Sequence, residues 1–168
     1  MKEVPRAPYH PTPPDMAREM LKEVELKEGE TLYDLGCGEG NILIVGAKEF
    51  GARCVGVEID SKLAETAIRR VQEEGLEDRV TIICDDLFSP IFWAHINDGK
   101  EKPYAVRNAD VVALYLSYEM YPHLIPLLEK ELRPGTRVVS YEFYLRGWEE
   151  VKDVPRMFIY EAGKSYRR

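Results

Sequence analysis

The feature that most constrains this chain is the run Tyr33-Asp34-Leu35-Gly36-Cys37-Gly38-Glu39-Gly40-Asn41, set between a β-prone stretch and a helical one. Glycines at alternate positions let a backbone turn sharply, take positive φ and come close to whatever lies above it. At the end of a strand, such a loop belongs to an open α/β sheet. In that architecture ligands bind outside the carboxyl ends of the strands, where strand order reverses.

The flanking pattern agrees. Thr31 to Leu35 reads as a strand and Asn41 to Phe50 as a helix stopped by Gly51. Cys54 to Ile59 is a second strand, and Ser61 to Glu74 a helix capped by Ser61 and closed by Gly75. Val80 to Cys84 and Asp110 to Leu116 follow as strands, then a helix from about Pro122 to Leu132, a strand from Thr136 to Leu145 and a late one from Val154 to Glu161. Strands that are apolar throughout and alternate with helices predict a mostly parallel sheet covered on both faces. Upstream, prolines at 5, 8, 11, 13 and 14 make residues 1–14 an extended arm. Thr12 reads as the N-cap of a helix carrying Met16, Met20, Leu21 and Val24, ending near Gly29. Phe88 to Asn108 is too long and polar for a simple connection and reads as a short helical turn plus an excursion. At 168 residues, one domain accounts for the chain.

Composition narrows the class. No apolar run approaches the ~20 residues of a membrane helix. The first ten residues lack the apolar core of a leader, so a cytoplasmic protein is expected. Three cysteines, each within or beside an apolar run, read as reduced thiols. Thirty acidic residues against 23 basic ones give a net charge of −7. That counts against a nucleic-acid footprint and favours encounter with a basic partner.

Spacing identifies the ligand. A dinucleotide fold wants G-x-G-x-x-G, but position 41 is Asn; a P-loop needs Lys-Ser/Thr, and none follows. Asp34, two residues before the first glycine, suits a ligand with a cationic end, such as the α-amino group of S-adenosylmethionine. Glu58, at the end of the second strand, is placed to accept hydrogen bonds from ribose hydroxyls. Asp85-Asp86-Leu87, after the third, offers a carboxylate for the adenine amino group and an apolar neighbour for the ring. The expected cofactor is S-adenosylmethionine.

These residues resemble the seven-β-strand, class I methyltransferases, a Rossmann-like fold with helices on both faces. The flanks narrow the likeness. The arm VPRAPYHPTPPDMAREML, the loop LYDLGCGEGNILIVGAKEFGA, VGVEID and LEKELRPGTRVVSYEFYLRGW are similar to small archaeal protein-lysine methyltransferases. Those are relatives of the non-SET histone lysine methyltransferase and of a mitochondrial lysine methyltransferase family. The resemblance spans about Val4 to Trp148 and implies methyl transfer to lysine ε-amines of proteins, often with broad substrate choice. It implies that Tyr9 and Thr12 close over the cofactor, that Gly36, Gly38 and Asn41 form its loop, and that Glu58 with Ile59 meets the ribose. Asp86 and Leu87 stand near the adenine. After the fourth strand the chain reads Tyr115-Leu116-Ser117-Tyr118-Glu119-Met120, where relatives often carry Thr or Asn.

Lysine chemistry sets its own demands. With a pKa of about 10.4, making the amine neutral at pH 7 costs roughly 4 to 5 kcal/mol. Desolvation and a nearby sulfonium charge lower that cost, whereas a bare carboxylate raises it. A narrow tyrosine-walled channel is expected, with Tyr9, Tyr115, Tyr118, Tyr141 and Tyr144 as candidates and Tyr9 and Tyr115 foremost. Tyr115, Tyr118 and Tyr121 fall three apart, the spacing of a packed stripe. Glu142, in an otherwise apolar strand, either orients substrate or pairs with an arginine such as Arg146. A nucleic-acid methyltransferase would commonly carry an Asn-Pro-Pro-Tyr-type motif where this chain has LYLSYEM, and in a binding module that kept the fold without catalysis, intact Asp34, Gly36, Gly38 and Glu58 would still argue for cofactor binding. The expectation is a monomeric enzyme acting on basic proteins with exposed lysines, with neither nucleic acid nor membrane as partner.

Overall fold

The computed structural model describes residues 8–89, 93, 96–97 and 99–166. Its strands are β1 (Thr31–Leu35), β2 (Arg53–Glu58), β3 (Val80–Cys84), β4 (Ile96–Asn97), β5 (Lys100–Glu101), β6 (Val111–Leu114), β7 (Arg137–Tyr141), β8 (Lys152–Val154) and β9 (Met157–Glu161). Helices are α1 (Pro14–Glu23), α2 (Asn41–Phe50), α3 (Ser61–Glu73) and α4 (Tyr121–Glu131). Seven strands form one sheet in the order β3-β2-β1-β6-β7-β9-β8, and β4 pairs with β5 apart from it. The first five strands of that order are parallel, while β9 runs antiparallel to both β7 and β8. From β1 the chain moves outward through β2 and β3, then crosses back to β6 on the other side. The reversal point lies between β1 and β6, where a cleft opens at the strand ends.

Every residue of β6 is buried, so its alternating side chains feed two cores. Val111 and Ala113 join Leu32, Val139, Met20, Leu21 and Leu43 beneath α1 and α2, with Val71 of α3. Val112 and Leu114 face the other way, with Tyr33, Val138 and Leu124 and Leu128 of α4. A sheet buried on both faces is why its strands read as continuous apolar runs.

Several boundaries differ from the sequence reading. Pro13, not Thr12, occupies the N-cap of α1, with no side-chain cap; proline at the next position already fixes the helical φ. The helix ends at Glu23 rather than near Gly29, because Glu25 turns the chain at φ 56°. Asp60, not Ser61, caps α3, its Oδ1 accepting from the N–H groups of Lys62 (2.9 Å) and Leu63 (3.2 Å). β7 stops at Tyr141, since Glu142 takes φ 66° and leaves the strand. The single late strand is a hairpin, β8 and β9 turning at Pro155-Arg156.

Within the excursion expected over 88–108, residues 90–92, 94, 95 and 98 lie outside the described set. Trp93 is buried and its Nε1 donates to the Leu87 carbonyl at 2.8 Å. Ala105, Val106 and Ala109 are fully buried, tying the end of the excursion to the α4 face. Among the described residues, no helix is long and apolar enough to cross a membrane.

Candidate active site

The glycine loop is pinned beside β2, the N–H groups of Gly36 and Cys37 both donating to the Val57 carbonyl at 2.9 Å. Gly36 has φ +88° and Gly38 φ +55°, a region other residues enter only with strain. Both also lack room for a side chain. A Cβ on Gly36 would stand 2.5 Å from Leu116 Cδ2, and one on Gly38 would stand 2.6 Å from the Tyr9 ring. The loop therefore touches the end of β6 on one side and the N-terminal arm on the other.

The arm is held from below. α1 packs on α2 through Met20 and Leu21, and the Arg18 guanidinium meets both oxygens of Glu49 on α2 at 2.6 and 2.7 Å. Residues 8–12 then run across the mouth of the cleft. Asn41 Nδ2 donates to the Thr12 carbonyl at 2.8 Å, and Asn41 Oδ1 accepts from Arg70 Nη1 at 2.6 Å. The same Arg70 nitrogen donates to the Glu39 carbonyl at 2.9 Å. Sequence reasoning missed Arg70, because its place on a polar, charged face of α3 carries no signal.

Asp34 lies in β1 with only 2% of its surface exposed, flanked across the sheet by Gly56 and Ala113. Its side chain lines the cleft although almost none of it reaches solvent. Burial, and secondarily the charge of Glu58, push its carboxyl well above the ordinary carboxylate range. Among the described residues no donor meets it, so a cation arriving from the cleft would be its natural partner. Glu58 is already oriented: Oε1 accepts from Gly38 N–H at 2.8 Å and Oε2 from Asp60 N–H at 2.9 Å. A carboxylate has about four acceptor positions, so each oxygen keeps capacity for a hydroxyl. Cys37, buried beside both carboxylates, has its thiol held protonated by burial and by their charge, so it is an inert part of the wall.

All the residues expected around the cofactor line this cleft except Asp86. The Asp86 carboxylate turns away and accepts from Phe88 N–H at 2.9 Å. Asp85 lines the cleft in its place, together with Leu87. Ile59, 37% exposed, forms part of the opposite rim.

A second recess adjoins the cleft and shares Pro8, His10, Tyr115 and Leu116 with it; Ser117, Glu142 and Phe143 complete its wall. The Tyr115 hydroxyl reaches Glu142 Oε2 at 3.4 Å, and Tyr115 packs edge-on against Tyr141 with ring centroids 5.1 Å apart. Burial and the Glu142 charge raise the Tyr115 phenol, so it stays protonated. The partner of Glu142 is Arg156, not Arg146: Arg156 Nη2 donates to Glu142 Oε1, and its guanidinium lies 5.4 Å over the Tyr141 ring. Tyr118 and Tyr144 stand exposed with hydroxyl oxygens 3.4 Å apart. Tyr121 is in the core, its hydroxyl 2.6 Å from Ser140 Oγ. The three-residue spacing from Tyr115 to Tyr121 thus makes no common stripe.

The donor set fits S-adenosylmethionine. A buried carboxylate with no donor among the described residues suits its ammonium, a glycine crevice admits close approach, and Glu58 suits vicinal hydroxyls. Comparison with known proteins agrees. Residues 34–152 match the ANTKMT methyltransferase domain. A protein-lysine N-methyltransferase of Saccharolobus islandicus is 38% identical over 149 residues, covering 88% of this chain and 84% of that protein. A lysine N-methyltransferase of Xenopus laevis, named for a component of ATP synthase, is 27% identical, covering 84% of this chain and 55% of its own length. An RNA methyltransferase from Salinibacter ruber, crystallised with S-adenosyl-L-homocysteine, superposes with a TM-score of 0.78 at 34% identity, covering 95% of this chain and 96% of that one. The chain belongs to the ANTKMT methyltransferase-domain family and is an S-adenosylmethionine-dependent methyltransferase.

Proposed function

We propose that the enzyme methylates lysine ε-amines of proteins, with basic proteins as its acceptors. The observation that carries this reading is the recess beside Tyr115. It is walled by aromatic, proline and polar side chains, opens to the surface, and meets the cofactor cleft at Tyr115 and Leu116. A lysine side chain is a thin apolar stem ending in an amine, and such a recess suits it. The lysine-directed names of the Saccharolobus and Xenopus relatives favour the same acceptor. So does the net charge of −7, which suits a basic partner and opposes a polyphosphate.

S-adenosylmethionine, held by Asp34, the Gly36–Gly40 loop and Glu58, would supply a methyl group on a positively charged sulfur to the amine lone pair, with the C–S electron pair left on sulfur and the surplus proton passing to solvent. What this chain contributes is mainly position. The Gly36–Gly40 loop and Glu58 fix one reactant, and the arm excludes water above it. The neutral Tyr115 hydroxyl, donating to Glu142, keeps its oxygen lone pairs available to one amine N–H. Partial burial of the recess disfavours a charged amine there, in the direction the reaction needs.

The test is intact-mass analysis of a small basic protein and of an unstructured RNA, each incubated with the enzyme and S-adenosylmethionine. Methyl increments on the protein, mapped to lysines and absent from the RNA, are expected. Transfer to RNA alone would move the assignment to the activity named for the Salinibacter protein.

A further inference from the structure

The recess poses an electrostatic problem. A carboxylate beside an acceptor amine holds a proton on it and so opposes attack, yet Glu142 lines the recess and accepts from Tyr115. The fold commits two unusual backbone positions to what lies next to it. Glu142 and Arg156, neither of them glycine, both take φ 66°, and strain of that kind persists only where its surroundings impose it. The N–H of Glu142 donates to the Arg156 carbonyl at 2.8 Å, while the Arg156 guanidinium returns to Glu142 Oε1. The two residues are thus clamped by backbone and side chain at once. The guanidinium also rests over the Tyr141 ring, which packs against Tyr115.

We propose that Arg156 is a charge-compensating positioning residue: it neutralises Glu142, so that this carboxylate can hold the Tyr115 hydroxyl toward the acceptor amine without retaining a proton on that amine. The inference rests on the recess being the acceptor channel. Groups facing Glu142 are Tyr115 from the end of β6, Tyr141 from β7 and Arg156 from the β8–β9 turn, with His10 of the arm on the same recess wall. Tyr115 and Tyr141 are phenols, so Arg156 is the permanent cation in this set. Removing its charge leaves a net negative wall; removing the charge of Glu142 leaves a net positive one.

The two single variants therefore act in opposite directions. With both substrates saturating, the turnover number of the full-length enzyme rises with pH as the bound amine loses its proton. Arg156→Gln is expected to move that rise upward by about half to one pH unit, and Glu142→Gln to move it down by a similar amount. The double variant Glu142→Gln/Arg156→Gln is expected to return it close to the wild-type position. Affinity for S-adenosylmethionine, measured by calorimetry, is expected to stay within about twofold in all three, since neither Glu142 nor Arg156 lines the cofactor cleft.

A pH profile unmoved by either single change, or moved the same way by both, overturns the inference. Should Arg156→Gln fail to fold, Arg156→Met, which keeps an apolar stem over the Tyr141 ring, takes its place: an upward shift supports compensation and an unmoved profile overturns it. A wild-type enzyme that methylates no lysine overturns the acceptor reading and this inference with it. A wild type that does methylate lysine, with unmoved profiles, overturns the inference alone.

Discussion

Asn41 donates from Nδ2 to the Thr12 carbonyl at 2.8 Å, so the first residue of α2 is bonded to the arm that crosses the cleft. Its other amide atom receives Arg70 at 2.6 Å. One side chain thus fastens arm, loop and α3 together, and its two functions can be separated. Asn41→Asp keeps the acceptor for Arg70 and loses the donor to Thr12. We expect S-adenosylmethionine to bind roughly five- to tenfold more weakly, the worth of one hydrogen bond. Arg70→Gln is expected to weaken it comparably by loosening the loop from the other side. Titration calorimetry checks both.

Gly38 lies under Tyr9 with no space for a methyl group, and its φ of +55° already disfavours one. Gly38→Ala should cost about 1 to 2 kcal/mol of stability from the backbone alone. It should also lift Tyr9 from the loop. The expected result is a folded protein with a lowered melting temperature, in which residues 8–12 become more sensitive to limited proteolysis.

Asp34 is a carboxylate in a buried strand with no donor among the described residues, and burial raises its carboxyl above the unfolded value. The folded state therefore holds a proton that the unfolded chain releases. Stability from this group is greatest below the ordinary carboxylate pKa and falls as pH rises toward the raised folded value. Asp34→Asn should remove that fall and raise the melting temperature of the ligand-free protein at neutral pH by roughly 2 to 4 °C per kcal/mol regained. It should also weaken S-adenosylmethionine by at least about tenfold, because the ammonium loses a charged partner. Thermal melts across pH, with and without the ligand, measure both signs in one series.

Tyr115→Phe keeps the ring that packs on Tyr141 and deletes only the hydroxyl that reaches Glu142. Turnover on a lysine acceptor should fall roughly tenfold or more, while S-adenosylmethionine binds as before. A parallel loss of cofactor affinity would instead make the Tyr115 hydroxyl a contact of the cofactor, on the cleft that its ring already lines. Steady-state kinetics over a range of cofactor concentrations distinguish these outcomes.

The order of elements, the parallel sheet and the ligand loop were legible in the residues themselves. Each is a local matter: apolar runs of strand length, glycines at alternate positions, carboxylates at strand ends. Boundaries read from one residue type were less secure. Thr12 and Ser61 are good N-cap residues, yet proline geometry starts α1, and Asp60, still extended just ahead of the first helical residue Ser61, caps α3.

Tertiary structure decided what no local pattern encodes. Asp85 and Asp86 are chemically alike, and only the turn that spends Asp86 on the Phe88 N–H leaves Asp85 to the cleft. Arg70 is 29 residues from Asn41, and Arg156 is 14 from Glu142. Neither pairing follows from spacing, because each depends on where a helix or a hairpin returns to the sheet. Residue types thus determined that the chain would build a sheet with a cofactor loop at its switch point. The folding of distant elements onto that point decided which charges meet there, since electrostatic pairing depends on distance in space rather than along the chain.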